Sequence, residues 1–489
     1  MTSTIEPTTS GAASPQAQPG RAKALAVLCV MQLMIILDAT VVTVALPTIQ
    51  GDLGFSQAGL AWVMNSYLIA FAGLLLLAGR IGDLIGSKRV FLAGLGLFTA
   101  ASLLCGLATT SEVLIAGRFL QGVGGALASA VILGMIVGLY PEPADQARAM
   151  GVYGFTSAGG ASIGLILGGV ITQTVGWHWA FLINVPIGAA SLVLALRLLA
   201  TQPGLGLGKG ADVLGAVLVT AGLSLAVYTI VQTAEPAAEV LRTLVLAAIS
   251  LALLAGFVLR QARAAQPLLA LRIFRNRQLT TANLVVVLLF AAGFGFQFMT
   301  ALYLQRVLGF DSLHTGLAFL PAPTLGAVMS LFIGPRLVAR FGAPTLMLAG
   351  LLALAAALVL MAQAPTDGSY LDVLAPLLLV GGGTGAAIPA VIMLAMSAAA
   401  PTDAGLASGL NNTAQQAGAA IGTAVLATLA ASRTASGLTD GATSVTALRD
   451  GYSIAFAAAS TFALAALALG ATLLLRRKPA EPEAGRVSL

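Results

Sequence analysis

The sequence predicts an all-α integral membrane protein built as two six-helix blocks plus two extra central helices, fourteen transmembrane helices in all, with both termini cytoplasmic. Three observations carry that expectation. Of 489 residues, 58% are hydrophobic and 9% charged, against roughly 25% charged in soluble domains. A surface so poor in charge needs lipid as its solvent. Apolar runs of helix length tile the chain, and about 20 apolar residues cross the ~30 Å hydrocarbon layer. Basic residues collect in alternate loops, the bias that sets membrane orientation.

The expected spans lie near 25–46, 60–79, 89–109, 112–138, 148–172, 180–200, 212–232, 242–261, 280–304, 313–334, 344–363, 372–397, 404–431 and 451–475. With the N-terminus inside, only Arg242, Arg306, Arg433 and Arg449 of the 24 Lys and Arg residues fall outside, while Arg118 lies within a helix. Residues 1–22, rich in Thr, Ser, Pro and Ala, read as a disordered cytoplasmic tail. Then follow a first six-helix block (23–205), two linker helices (206–265), a second block (266–476) and a cytoplasmic tail (477–489). The run ending at Leu46 is too long for a signal h-region and reads as an uncleaved first helix.

The same arithmetic excludes other classes. The net charge of +6 is spread over short loops, so no nucleic-acid partner is expected. Cys29 and Cys105 sit inside apolar runs without ligand spacing, and the only histidines are His178 and His314. No metal, cofactor or enzymatic constellation is expected from them. A weak internal repeat supports the two blocks. GRIGDLIGSKR (79–89) lies between helices 2 and 3, and GPRLVARFGAP (334–344) lies between helices 10 and 11. Two blocks related by an axis along the membrane normal are a transporter architecture.

Chemistry concentrates in few residues. Of the 18 acidic residues, Asp38 is the one placed deep in a helix, where a carboxylate is costly unless protonated, paired or hydrated. Arg118 is the basic residue within a span. Counting from Pro47 and from Glu112 puts Asp38 about 13 Å and Arg118 about 9 Å below the outer surface at 1.5 Å per residue. The two are level within a turn, so coupling is expected, directly or through water. In the 79–89 loop, Gly79 and Gly86 (with Gly82) allow close approach and a tight turn. Asp83 stands near a helix end where it can pair with Arg80, Lys88 or Arg89, as a latch that forms in one conformation and breaks in another. Gly160, Gly164, Gly168 and Gly169 give helix 5 a seam or a bend. Polar candidates for a cavity are Gln32, Asn65, Gln121, Gln297 and Asn412, with Phe290, Phe294 and Phe298 at helical spacing as an apolar wall. A mostly apolar lining with a few polar groups suits a small lipophilic substrate.

At this point the residues carry a resemblance. GRIGDLIGSKR resembles the signature loop of the major facilitator superfamily. LDATVVTVALP (37–47), LIAGRFLQGVGGA (114–126), WHWAFLINVPIG (177–188), PLLALRIFRNR (267–277) and AGLASGLNNTAQQAGAAIG (404–422) are similar to motifs of its fourteen-helix drug:proton antiporter branch. The resemblance implies a proton-coupled multidrug exporter of the bacterial cytoplasmic membrane, driven by the proton gradient without a cofactor and functional as a monomer. Its partners would be the lipid bilayer, protons and a small lipophilic substrate. It places the coupling arginine on Arg118. Two positions depart from the pattern: Leu165 replaces the proline of the helix 5 motif, and His178 stands where the branch has arginine. Leu165 keeps an alternative open, a proton-coupled importer or metabolite carrier on the same scaffold.

Overall fold

The computed structural model describes residues 20–475, apart from 57–58, 141, 202–203, 205, 207–209, 234–239, 265 and 399–403. Most of the expected N-terminal tail and the C-terminal tail lie outside the described residues. Helices account for the regular structure among those described, and no strand occurs there. Among the described residues, twelve helices are long and apolar enough to cross a membrane. In chain order they are α1 (Arg21–Leu53), α2 (Ala61–Ile85), α3 (Ser87–Gly106), α4 (Ser111–Leu139), α6 (His178–Leu198), α7 (Val213–Gln232), α8 (Val240–Arg263), α9 (Arg277–Arg306), α10 (Ser312–Phe341), α11 (Ala343–Ala362), α12 (Tyr370–Ala398) and α14 (Ser444–Leu473). Two further long helices stand at the remaining expected positions, α5 (Pro143–Thr174) and α13 (Ala404–Thr439).

Local chemistry sets the helix starts. Thr110, Asp212, Asn276 and Asp311 cap α4, α7, α9 and α10 with side-chain oxygens that accept backbone N–H groups of the first turn. Two boundaries differ from expectation. Pro47 does not end the first helix, which runs on to Leu53 and stops at Gly54 with φ 67°. Proline removes one intrahelical bond and crowds the preceding turn, and Gln305 of α9 donates to the neighbouring Val44 carbonyl at 3.0 Å. α10 also continues past residue 334 to Phe341, through a π-helical turn at Met329–Ile333.

The helix contacts repeat. α1 lies along α5, α2 along α4, and α3 against α4 and α6; α9 lies along α13, α10 along α12, and α11 against α12 and α14. Glycines make these contacts possible, because a Cβ would occupy the neighbouring backbone. Gly94 and Gly124 bring α3 onto α4, as Gly350 and Gly383 bring α11 onto α12. Gly122 meets the Tyr67 carbonyl, as Gly381 meets that of Ala322. Gly168 meets Val41, and Gly422 meets Ala291. The turns of the two loop copies match too, at Gly86 (φ 99°) and Gly342 (φ 82°), the left-handed region that glycine enters without steric cost.

Between the two sets, α2 packs on α13 and α5 on α10, while α7 packs on α2 and α13 and carries α8 on its outer side. Only 6% of the α8 span is buried. One end of the bundle holds the start of α1 and the 79–89 loop; it is termed the terminal face, and the opposite end the far face. At the far face the sets are stitched together. Gln305 reaches α1 as above, Arg306 donates to Gln50, and Gln173 of α5 donates to Asp311 at 3.3 Å. Gly169 lies on Ser312 and Leu313, and Gly316 on the Leu165 carbonyl.

Candidate functional site: a buried ion pair between α1 and α4

Four helices converge on Asp38 and Arg118. Both residues are buried, at 1% and 0% exposure, and Arg118 Nη1 donates directly to Asp38 Oδ2. Arg118 Nε donates to the Val63 carbonyl of α2 at 2.8 Å, and Nη1 also to Gln121 Oε1 at 2.9 Å. Gln121 Nε2 bridges Asp38 Oδ1 at 3.0 Å and Ser102 Oγ of α3 at 2.7 Å. The guanidinium carbon stands 4.6 Å from the centre of the Tyr67 ring and 5.8 Å from that of Phe181, within the range of cation–π attraction.

The glycine seams position this network. Gly122 and Gly125 admit the Tyr67 residue of α2 against α4, and Gly117 admits Cys105 of α3. An ion pair in a low-dielectric interior holds only when its remaining polar atoms are bonded, and Gln121, Ser102 and Val63 supply most of those bonds. Arg118 Nη2, the Tyr67 hydroxyl and both amide atoms of Asn65 are buried without a partner among the described residues. At the ion pair itself, Arg118 Nη2 is thus a donor held in reserve. Counted from the repeated glycine contacts, the equivalent positions of the second set are Leu288 and Leu377. Among the described residues the second set has no such charged network between these positions.

The other expected residues fall into three groups. Gln121 belongs to the ion-pair network rather than to an open wall. Gln32 accepts from the Tyr153 hydroxyl at 2.8 Å and so ties α1 to α5. Gln297 and Asn412 are half-buried; Phe290 and Phe294 stack at 6.1 Å, but Phe298 turns into the core at 3% exposure, which breaks the expected aromatic wall. On α5, Gly160, Gly164 and Gly168 rest against Leu33, Thr40 and Val41 of α1, whereas Gly169 rests on α10. In this conformation the signature loop holds none of the ion pairs that its latch would use. Asp83 is exposed and has no ion pair among the described residues. Arg80 Nε donates to the Gly210 carbonyl at 3.4 Å and its Nη2 to Gln266; Lys88 donates to the Leu196 carbonyl at 3.0 Å, and Arg89 is exposed. Backbone and side-chain amide oxygens accept these bonds of Arg80 and Lys88. Gly79 meets nothing, while Gly82 lies on Val131.

Sequence reasoning missed Ser102, Val63 and the α7–α8 anchor. There Asp212 accepts from Arg260 Nε at 3.0 Å, Gln261 Nε2 at 2.8 Å and Gly215 N at 3.0 Å, and Gln261 accepts from Leu269 N at 3.0 Å. Burial pushes the Asp212 carboxyl up, but these hydrogen bonds and the Arg260 charge outweigh it and hold the group below the ordinary carboxylate range.

Residues 28–423 match the family model of the Major Facilitator Superfamily. The chain belongs to that superfamily. It is 37% identical to a puromycin resistance protein of Streptomyces alboniger, over 93% of this chain and 91% of that one. It is 38% identical to a cephamycin export protein of Amycolatopsis lactamdurans, over 82% and 83%. Among solved structures, a bacterial homolog of the human lysosomal transporter Spinster, inward-facing and unoccupied, shares the fold with a TM-score of 0.66 at 17% identity, over 95% and 100% of the two chains. The protein is a multi-pass transporter of the bacterial cytoplasmic membrane.

Proposed function

We propose that the protein is a proton-coupled antiporter that exports small lipophilic or cationic compounds, antibiotics among them, by alternating access. Its relatives named for puromycin resistance and cephamycin export support the export of drug-like cargo. In this reading α5 and α13 also cross the membrane, giving fourteen spans with both termini cytoplasmic. The blocks are 23–205 and 266–476, with 206–265 between them, and a single chain is the working unit. The far face is then the outside, so the stitched state is closed outward.

The observation that carries the mechanism is the buried Asp38–Arg118 pair. A proton on Asp38 cancels the charge that Arg118 pairs with, while Val63 and Gln121 still hold the guanidinium. The guanidinium then keeps its charge without a counter-ion, held by those two acceptors and by the Tyr67 ring 4.6 Å away, and the α1–α4 contact loosens. A proton descending 100 mV releases ~2.3 kcal/mol, available to drive a neutral substrate outward, whereas exchange for a monovalent cation moves no net charge and draws on the pH gradient alone. Leu165 supports the importer reading, since it replaces the proline of the export-linked motif.

The test is substrate-induced collapse of an imposed pH gradient in inverted vesicles. Lipophilic monocations and neutral antibiotics should dissipate the gradient with wild type and not with Asp38→Asn. A solute flux toward the cytoplasm, with no compound collapsing the gradient, would install the importer reading instead.

A further inference from the structure

The two linker helices belong to neither set of six, and the ion-pair site makes no use of them. α7 nevertheless builds something. With α2 and α4 it borders, through Ser224, an open groove of about 630 Å³ toward the far face, within the 300–1,000 Å³ range typical of small-molecule sites. Trp62, Ser66, Phe119, Leu120 and Ser224 line it, and Glu112 stands among them at the start of α4. The groove runs from Glu112 to Leu120, about 12 Å along the helix at 1.5 Å per residue. It lies on the opposite side of the α2–α4 seam from the buried ion pair, since Gly122 and Tyr67 close the seam between them.

Its chemistry is selective. The walls are apolar and aromatic, and Glu112 is the one charged side chain in the lining. Ser66 returns its hydroxyl to the Trp62 carbonyl at 2.7 Å. Ser224 makes no hydrogen bond among the described residues and offers its hydroxyl to the groove. Two aromatic rings and an exposed carboxylate attract a cation, by the ring quadrupole and by charge, whereas the apolar floor takes a lipophilic body.

We propose that this groove is a peripheral binding site for a lipophilic monocation, bordered by the linker helix α7 and opening to the outer leaflet. The outer-leaflet orientation rests on the topology proposed above; the ligand class rests on the groove alone. α7 is thereby given a role, as the helix that brings Ser224 to the groove.

Binding of tetraphenylphosphonium to the full chain in lipid nanodiscs, without any gradient, tests the site independently of transport. Wild type should bind the cation in the groove, and Asp38→Asn should keep that binding. Glu112→Gln should weaken it about fivefold, the effect of losing one exposed charge partner. Ser224→Trp should fill the groove and abolish it. Glu112 is exposed, so its substitution leaves folding intact even if the tryptophan variant fails. Lipids with brominated acyl chains supply the competing occupant, read by quenching of Trp62 with the other two tryptophans (Trp177 and Trp179) replaced by phenylalanine. Displacement of that quenching by the cation supports the proposal. Binding indifferent to both groove variants overturns it, as does quenching the cation cannot displace, which would make the groove a lipid site.

Discussion

At the residue scale the proposed coupling turns on one carboxylate. Removing one partner of a buried ion pair leaves the other charge uncompensated, at a cost of roughly 3–5 kcal/mol. Asp38→Leu is therefore expected to lower the thermal unfolding temperature sharply, whereas Asp38→Asn keeps an acceptor for Arg118 and should stay folded while losing proton coupling. Thermal unfolding in detergent beside the vesicle assay separates the two effects; equal stability of both variants would mean that the charge is not held as the geometry indicates. Asp38 and Arg118 were legible in the sequence because a lone charge inside an apolar run has so few explanations. Their bonding was not. Gln121 looks like any polar residue of a helix, and its role comes from pointing across α4 at Ser102 and Asp38 together. The Val63 carbonyl carries no signature at all, since every residue has one.

At the element scale, glycines decide how closely helices approach. A Cβ at Gly122 would fall on the Tyr67 carbonyl, and one at Gly381 on that of Ala322. Gly122→Val and Gly381→Val should each cost about 1–3 kcal/mol through overpacking. Only Gly122→Val should also impair proton coupling, because spreading α2 from α4 stretches the Arg118–Val63 bond; coupling lost equally in both would place the sensitivity in the scaffold. Gly79, by contrast, meets nothing, so Gly79→Ala should raise stability by about 0.5–1 kcal/mol, measured as a higher unfolding temperature. The internal repeat was visible in one loop pair, where letters survive. The glycine seams repeat just as strictly, yet many glycines of this chain serve no seam, and a count of letters cannot sort them. The linker anchor adds a pH signature. The Asp212 carboxyl is held below its unfolded value, near 3.9, so its stabilising effect is complete above that value and fades as pH falls through the folded one. Asp212→Asn should thus flatten the acid limb of unfolding temperature against pH, leaving stability near neutrality lower than wild type.

At the scale of the whole molecule, the proposed alternating access requires the far face to open. The contacts closing it are few and polar at their rim: Arg306 to Gln50, Gln305 to the Val44 carbonyl, Gln173 to Asp311, with Gly169 and Gly316 seated beneath. Such a rim is weak enough to part once per cycle, because single hydrogen bonds contribute about 0.5–1.5 kcal/mol net each, and the tight glycine contacts under it define a single closed fit. No sequence pattern announced this face, since its partners lie more than 130 residues apart and their side chains are ordinary at any surface. A direct test joins the two sides. Cysteines at Gln50 and Arg306, bridged by a short reducible bifunctional thiosulfonate, should hold the face shut; the native Cys29 and Cys105 are buried and do not compete. Efflux should stop on bridging and return on reduction, while substrate binding from the terminal face persists. Transport that continues across the bridge would show that the far face stays closed throughout the cycle, and the path would then have to leave laterally between helices rather than through the end of the bundle.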